Sequence, residues 1–149
     1  MDPKSLTRDF KEFLQCLNAR GVEYLMIGGH AVAYHGYPRA TGDLDVWIAV
    51  NEENANRIVS ALKDFGFDLP ELTPDLFLRK DRIIRMGVPP NCIEIQTGIS
   101  GVEFSDVYPR RVVAAVDGVP VNIIPLDDLK RNKKASGRYK DLADLENLP

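Results

Sequence analysis

The chain has 149 residues, 44% of them apolar and 28% charged, with a formal net charge of −3 and a pI near 5.4. That length closes one hydrophobic core and leaves no room for a second domain of ordinary size, so a single domain over residues 1–149 is expected. The composition excludes collagen-like, disordered and membrane-embedded classes, and the acidic balance excludes a protein that grips nucleic acid over its whole surface.

Leu6, Phe10, Phe13, Leu14 and Leu17 recur at helical spacing, with Asp2-Pro3 as cap and first-turn proline and Gly21 as the stop. "VEYLMI" reads as a strand that Gly28-Gly29 breaks, and "HAVAYHG" as a short helix ended by Gly36 and Pro38. "DLDVWIAV" is the second strand. "NEENANRIVSALKDFGF" follows as a helix capped by Asn51, with Ile58, Leu62 and Phe65 on one face and Gly66 after it. "LFLRK" and "RIIRM" bracket Asp81 as a hairpin, and "CIEIQT" is a further strand. Asp117-Gly118 between "RVVAAV" and "VPVNII" is a strong hairpin signal. "PLDDLKRNKKAS" then forms a helix closed by Gly137, and "RYKDLADLENL" a last one with Leu142, Leu145 and Leu148 on a stripe.

Cys16 and Cys92 lie far apart, with no Cys-x-x-Cys and no histidine at ligand spacing, so both read as buried fillers rather than a disulfide or zinc site. The N-terminal residues carry no basic-apolar-small signal pattern, and no apolar run nears the roughly eighteen residues of a membrane span; a cytoplasmic location is expected.

Asp43 and Asp45 are two apart at the head of a strand, so their side chains leave one face. Paired carboxylates suit magnesium, which takes carboxylate and phosphate oxygens. Glu94, between Ile93 and Ile95, offers a third acid on a later strand, and its alternation with apolar neighbours implies a polar pocket on that sheet face. Each acid also has a plain structural reading: Asp43 as a turn residue after Gly42, Glu94 as a solvent-facing strand residue. In haloacid-dehalogenase-like phosphatases the Asp-x-Asp follows its apolar strand, whereas here "VWIAV" comes after the acids, which argues against that chemistry.

An apolar strand, Gly28-Gly29, thirteen intervening residues, Asp43-Leu44-Asp45 and Glu94 on a later strand resemble the polymerase-beta-like nucleotidyltransferase superfamily. "RATGDLDVWI", "MGVPPNCIEIQTGISGVEF" and "NKKASGRYKDLADLENL" are similar to its small abortive-infection and toxin-antitoxin members, and the likeness runs from about Tyr24 to Leu148. The resemblance implies an α/β (α+β) fold, with a mixed β-sheet nucleotidyltransferase core and flanking helices. Glu94 stands where the nearer relatives more often carry Asp; the wider superfamily accepts either.

On that resemblance Asp43, Asp45 and Glu94 are the catalytic and metal-ligating acids, holding Mg2+ or Mn2+ against the triphosphate of ATP or another nucleotide, with Glu94 also helping to deprotonate an attacking hydroxyl. Gly28 and Gly29 let the backbone approach the phosphates. Arg39 and Thr41 match the relatives' Arg-x-Thr as phosphate contacts or as a support for Asp43. "KRNKKASGRYK" holds six cations in eleven residues; a solvated face is the usual meaning, but the resemblance singles out Lys133 and Arg138 as phosphate contacts. Asp141 is expected to fix one of them by a charge-assisted bond, and Lys130, Arg131, Lys134 and Lys140 to be surface. His30 reads as structural more than functional and Trp47 as a packing residue, while "RKDRIIR" reads as a hairpin surface before an acceptor contact.

The leading expectation is a metal-dependent enzyme that transfers a nucleoside monophosphate to a hydroxyl of RNA, above all a tRNA end, or of a protein, in a toxin-antitoxin or phage-defence setting. Its partners are the nucleotide, that macromolecular acceptor and a partner protein or second copy. A non-catalytic, antitoxin-like nucleotide- or protein-binding module of the same fold is the alternative. An antibiotic adenylyltransferase is a third possibility, but such enzymes carry an added helical domain for which this chain has no room.

Overall fold

A computed structural model describes residues 6–149, so the Asp2-Pro3 cap lies outside the described residues. Helix α1 (Arg8–Ala19) begins one residue after Thr7, whose hydroxyl accepts the Phe10 N–H and so satisfies one of the free amides of the first turn. The strands are β1 (Tyr24–Ile27), β2 (Leu44–Ile48), β3 (Ile83–Met86), β4 (Ile93–Gln96), β5 (Val112–Val116) and β6 (Val119–Ile123). The other helices are α2 (Gly28–Tyr34), α3 (Glu52–Phe65), α4 (Phe104–Val107), α5 (Leu126–Ser136) and α6 (Tyr139–Asn147).

The strands form one mixed sheet in the order β3-β4-β2-β1-β6-β5. The pairs β1–β2, β3–β4 and β5–β6 run antiparallel, while β2–β4 and β1–β6 run parallel. This is the expected α+β architecture. A single buried cluster joins Phe10, Phe13, Leu14 and Leu17 of α1 and Ile58 and Leu62 of α3 to Leu25, Met26, Val46 and Ile95 of the central strands. Asn54 of α3 ties the helix to the sheet ends: its side chain accepts the Glu23 N–H at 2.8 Å and donates to the carbonyls of Glu23 and Ala49 at 3.1 and 2.9 Å. Buried amide groups persist only with such partners.

The Asp117-Gly118 turn holds, both residues having positive φ as a two-residue hairpin of this twist requires. Three expectations need correction. "LFLRK" is not a strand: Pro74–Phe77 is a 3-10 turn that buries Phe77, and the hairpin partner of β3 is β4. A short apolar run carries no period, and Pro74 at the first position favours a helical turn. Helix α4 and the 3-10 turn Tyr108–Arg110 fill a stretch that showed no element signal. On α6 the buried residues are Asp141 and Asp144, which meet the buried Lys133; of the expected stripe Leu142 is exposed, Leu145 half-buried and Leu148, just past the helix, buried. No helix among the described residues is long and apolar enough to cross a membrane.

Candidate functional site

Asp43 ends the loop that follows α2, and Asp45 is the second residue of β2. Parallel pairing puts Glu94 of β4 beside Asp45, and antiparallel pairing puts Arg85 of β3 beside Glu94. Partners in register share a sheet face, so Asp45, Glu94 and Arg85 form one row across three strands. Arg85 completes it from the edge: its Nη2 donates to Asp43 Oδ2 at 2.9 Å, and its Nε lies 3.7 Å from Glu94 Oε1. The sequence reading placed "RKDRIIR" on a hairpin surface; Arg85 is exposed, but it touches two of the three acids. Only the strand register carries that information.

The floor beneath Asp45 is the glycine pair that opens α2. Gly28 has φ +69°, and a Cβ there would stand 2.1 Å from Asp45 Oδ2. A Cβ on Gly29 would stand 2.2 Å from Thr41 Oγ1. Backbone therefore comes as close to Asp45 and Thr41 as any chain can, which is the requirement that selects glycine.

Gly28, Gly29, Arg39, Thr41, Asp43, Asp45, Glu94, Lys133 and Arg138 all line one open cleft of about 820 Å3. The structure thus brings together all of the expected site residues. It adds Gln96, Asn132, Ser136 and Lys140 to the lining. Gln96 was legible by alternation, two residues past Glu94 on β4. Lys140, expected at the surface, reaches the cleft and partly offsets the charge of Asp45.

The cations of the cleft are held from behind by α6. Lys133, buried on α5, lies 3.2 Å from Asp141 Oδ1 and 3.0 Å from Asp144 Oδ2. Arg39 donates twice to Asp144, at 2.8 and 2.9 Å. Arg138 donates its Nε to Asp141 Oδ2 at 2.8 Å, and its backbone N–H donates to the same oxygen at 3.3 Å. Asp141 thus fixes two cations, not one, and Asp144, which the sequence reading did not single out, fixes another with a fork that lysine could not match. Although burial alone would raise both carboxyls, Arg138 and the other partners drive Asp141 well below the usual range, and Arg39 and Lys133 lower Asp144. The remaining run divides as expected: Arg131 pairs at the surface with the buried Asp128, and Lys130 donates to the Pro149 carbonyl.

At the acidic end, burial first and then the adjoining carboxyls of Glu94 and Asp43 push Asp45 far above the ordinary carboxylate range. Its Oδ1 is buried with no hydrogen-bond partner among the described residues. A buried carboxylate oxygen without a donor, next to further carboxylates, is the environment that a hard divalent cation relieves. Asp43, Asp45 and Glu94 fit Mg2+ or Mn2+ by donor chemistry, and the glycine floor leaves Asp45 unobstructed. Among the described residues, however, no three acidic, histidine or cysteine side chains surround one point.

The other polar residues fall to structural roles. His30 is buried edge-on to Phe10 with ring centroids 5.6 Å apart, and burial, followed by the charge of Arg39, pushes it down to about 4. His35 Nε2 lies 2.6 Å from the Ile124 carbonyl oxygen. Trp47 is buried against the edge of Phe104. Cys92 is buried and Cys16 partly so, and both are free thiols.

No family model and no curated protein matches the chain. Among solved structures, it superimposes on that of a Thermotoga maritima protein described as a "putative nucleotidyltransferase", with a TM-score of 0.61 over 95% of this chain and 94% of that one, at 15% identity. The two share a fold.

Proposed function

We propose that the chain is a divalent-cation-dependent nucleotidyltransferase that moves a nucleoside monophosphate from a nucleoside triphosphate to a hydroxyl of RNA or of a protein. The observation that carries this reading is the convergence of three acids, a glycine floor and three anchored cations on one cleft. Arg39, Lys133 and Arg138 would bind the triphosphate, their geometry set in advance by Asp141 and Asp144, so little ordering entropy remains to be lost on binding. Asp43, Asp45 and Glu94 would hold Mg2+ or Mn2+, which would supply charge screening for the phosphates. The acceptor hydroxyl oxygen forms a bond to the α phosphorus, the bond from that phosphorus to the bridging oxygen breaks, pyrophosphate leaves, and Glu94 takes the hydroxyl proton. The fold of the Thermotoga maritima protein supports the assignment of class.

A second reading is favoured by Arg85 lying against Asp43 and Glu94: a non-catalytic, antitoxin-like module that binds nucleotide or protein through the same cleft. Incubation with each α-labelled nucleoside triphosphate and Mg2+ or Mn2+, offering total tRNA and a cell lysate in parallel, separates the two. Transfer of label to a macromolecule is expected. Nucleotide binding with no transfer to either pool would favour the module.

A further inference from the structure

Arg85 is on β3, the edge strand next to β4, with more than half of its side chain exposed. An exposed ion pair contributes little to stability, so its position is not explained as a structural brace. Among the described residues it is the one basic side chain within ion-pair distance of Asp43 or Glu94. The guanidinium engages the same carboxylate oxygens that a divalent cation would need. Three acids line the cleft without closing round one point among the described residues.

We propose that Arg85 is the resident counter-ion of the acidic cluster and competes with the divalent cation for Asp43 and Glu94. Resting on the metal-dependent reading above, the inference adds a device to it. In the cation-free chain Arg85 neutralises the edge of the cluster; entry of the cation requires its departure, and the long flexible stem on an edge strand permits that swing without moving the sheet. The cleft therefore resists occupation by a bare cation. Asp45, which has no ion-pair partner among the described residues, is the ligand that stays available whether Arg85 is in or out.

Manganese binding to the intact protein without nucleotide, followed by the electron paramagnetic resonance signal of the free ion, tests this. Arg85→Gln is expected to bind Mn2+ more tightly than wild type by up to about fivefold, the span set by one exposed ion pair. Arg82→Gln, which removes an equal charge from the same hairpin but from a residue that touches none of the acids, is expected to leave the affinity unchanged. Arg85→Met provides a second variant that keeps the apolar stem, and circular dichroism checks the fold of each. Equal affinities for wild type and both Arg85 variants overturn the inference and leave the metal reading standing. Equal tightening by Arg82→Gln overturns it as a general charge effect, and weaker binding by the Arg85 variants overturns it as well. If neither wild type nor any variant binds Mn2+, the inference and the metal reading fall together.

Discussion

A Cβ placed on Gly28 would stand 2.1 Å from Oδ2 of Asp45, inside the contact distance of any two unbonded atoms. Gly28 also has φ +69°, a conformation that costs an L-residue about 1–2 kcal/mol. Gly28→Ala is therefore expected to lower stability by about that amount and, by turning the Asp45 carboxylate aside, to reduce transfer far more than stability. Gly42→Ala is the control, since a Cβ there meets nothing within 4 Å. Calorimetry and turnover measured on the same preparations check both.

Lys133 shares two buried carboxylates with Arg39 and Arg138. Removing Lys133 strips each carboxylate of one buried charge-assisted bond while Arg39 and Arg138 remain, so Lys133→Met is expected to cost about 1.5–3 kcal/mol, and Asp144→Asn, which leaves Arg39 without its carboxylate, a similar amount. The double variant should lose less than the sum, because the two residues act on each other. Urea unfolding of the wild type, both single variants and the double variant measures the coupling.

His30, Asp45, Asp141 and Asp144 set the response of stability to acid; Asp45, whose carboxyl is pushed up to about 8 in the fold, gains a proton on folding, so its contribution grows as pH falls from there and opposes the loss from His30. His30 is held neutral in the fold, with its pKa pushed from the usual 6.5 to about 4, so the unfolded chain binds a proton that the folded chain does not, and stability is lost as pH drops through that window. Asp141 and Asp144 are depressed in the fold; their contribution is present above the unfolded carboxylate range, near pH 4, and is lost as pH falls below it. Relative to wild type, His30→Leu is expected to gain stability as pH falls from about 6.5 to 4 and to keep the loss below that range, which unfolding curves of both proteins between pH 7 and 3, read with the reference pKa values, will show.

Elements with a full period or a complete cap were legible in the sequence. Helix α3 carries both, Asn51 accepting the Asn54 N–H at 2.9 Å and Gly66 turning the chain out at φ +117°. The Asp117-Gly118 hairpin was legible because its chemistry is local. What escaped depends on pairing across the fold. Arg85 meets Asp43 and Glu94 only through the β3–β4 register, and four-residue strands do not announce their partners. The buried pairing of Lys133 with Asp144 was not legible either, since burial of an ion pair shows only when both helices are in place. Helix α4 is four residues long, too short for a 3.6-residue period to register.

The central claim is that Asp43 and Asp45 together support transfer from the α phosphorus of a nucleoside triphosphate. The most direct measurement compares retention of α- and γ-phosphate label on an acceptor from total tRNA or a lysate, for the wild type and for Asp43→Asn/Asp45→Asn, in Mg2+ or Mn2+. The wild type is predicted to retain α label and release γ label as pyrophosphate, and the double variant to fold normally and transfer neither. Transfer of α label that survives in the folded double variant would contradict the account.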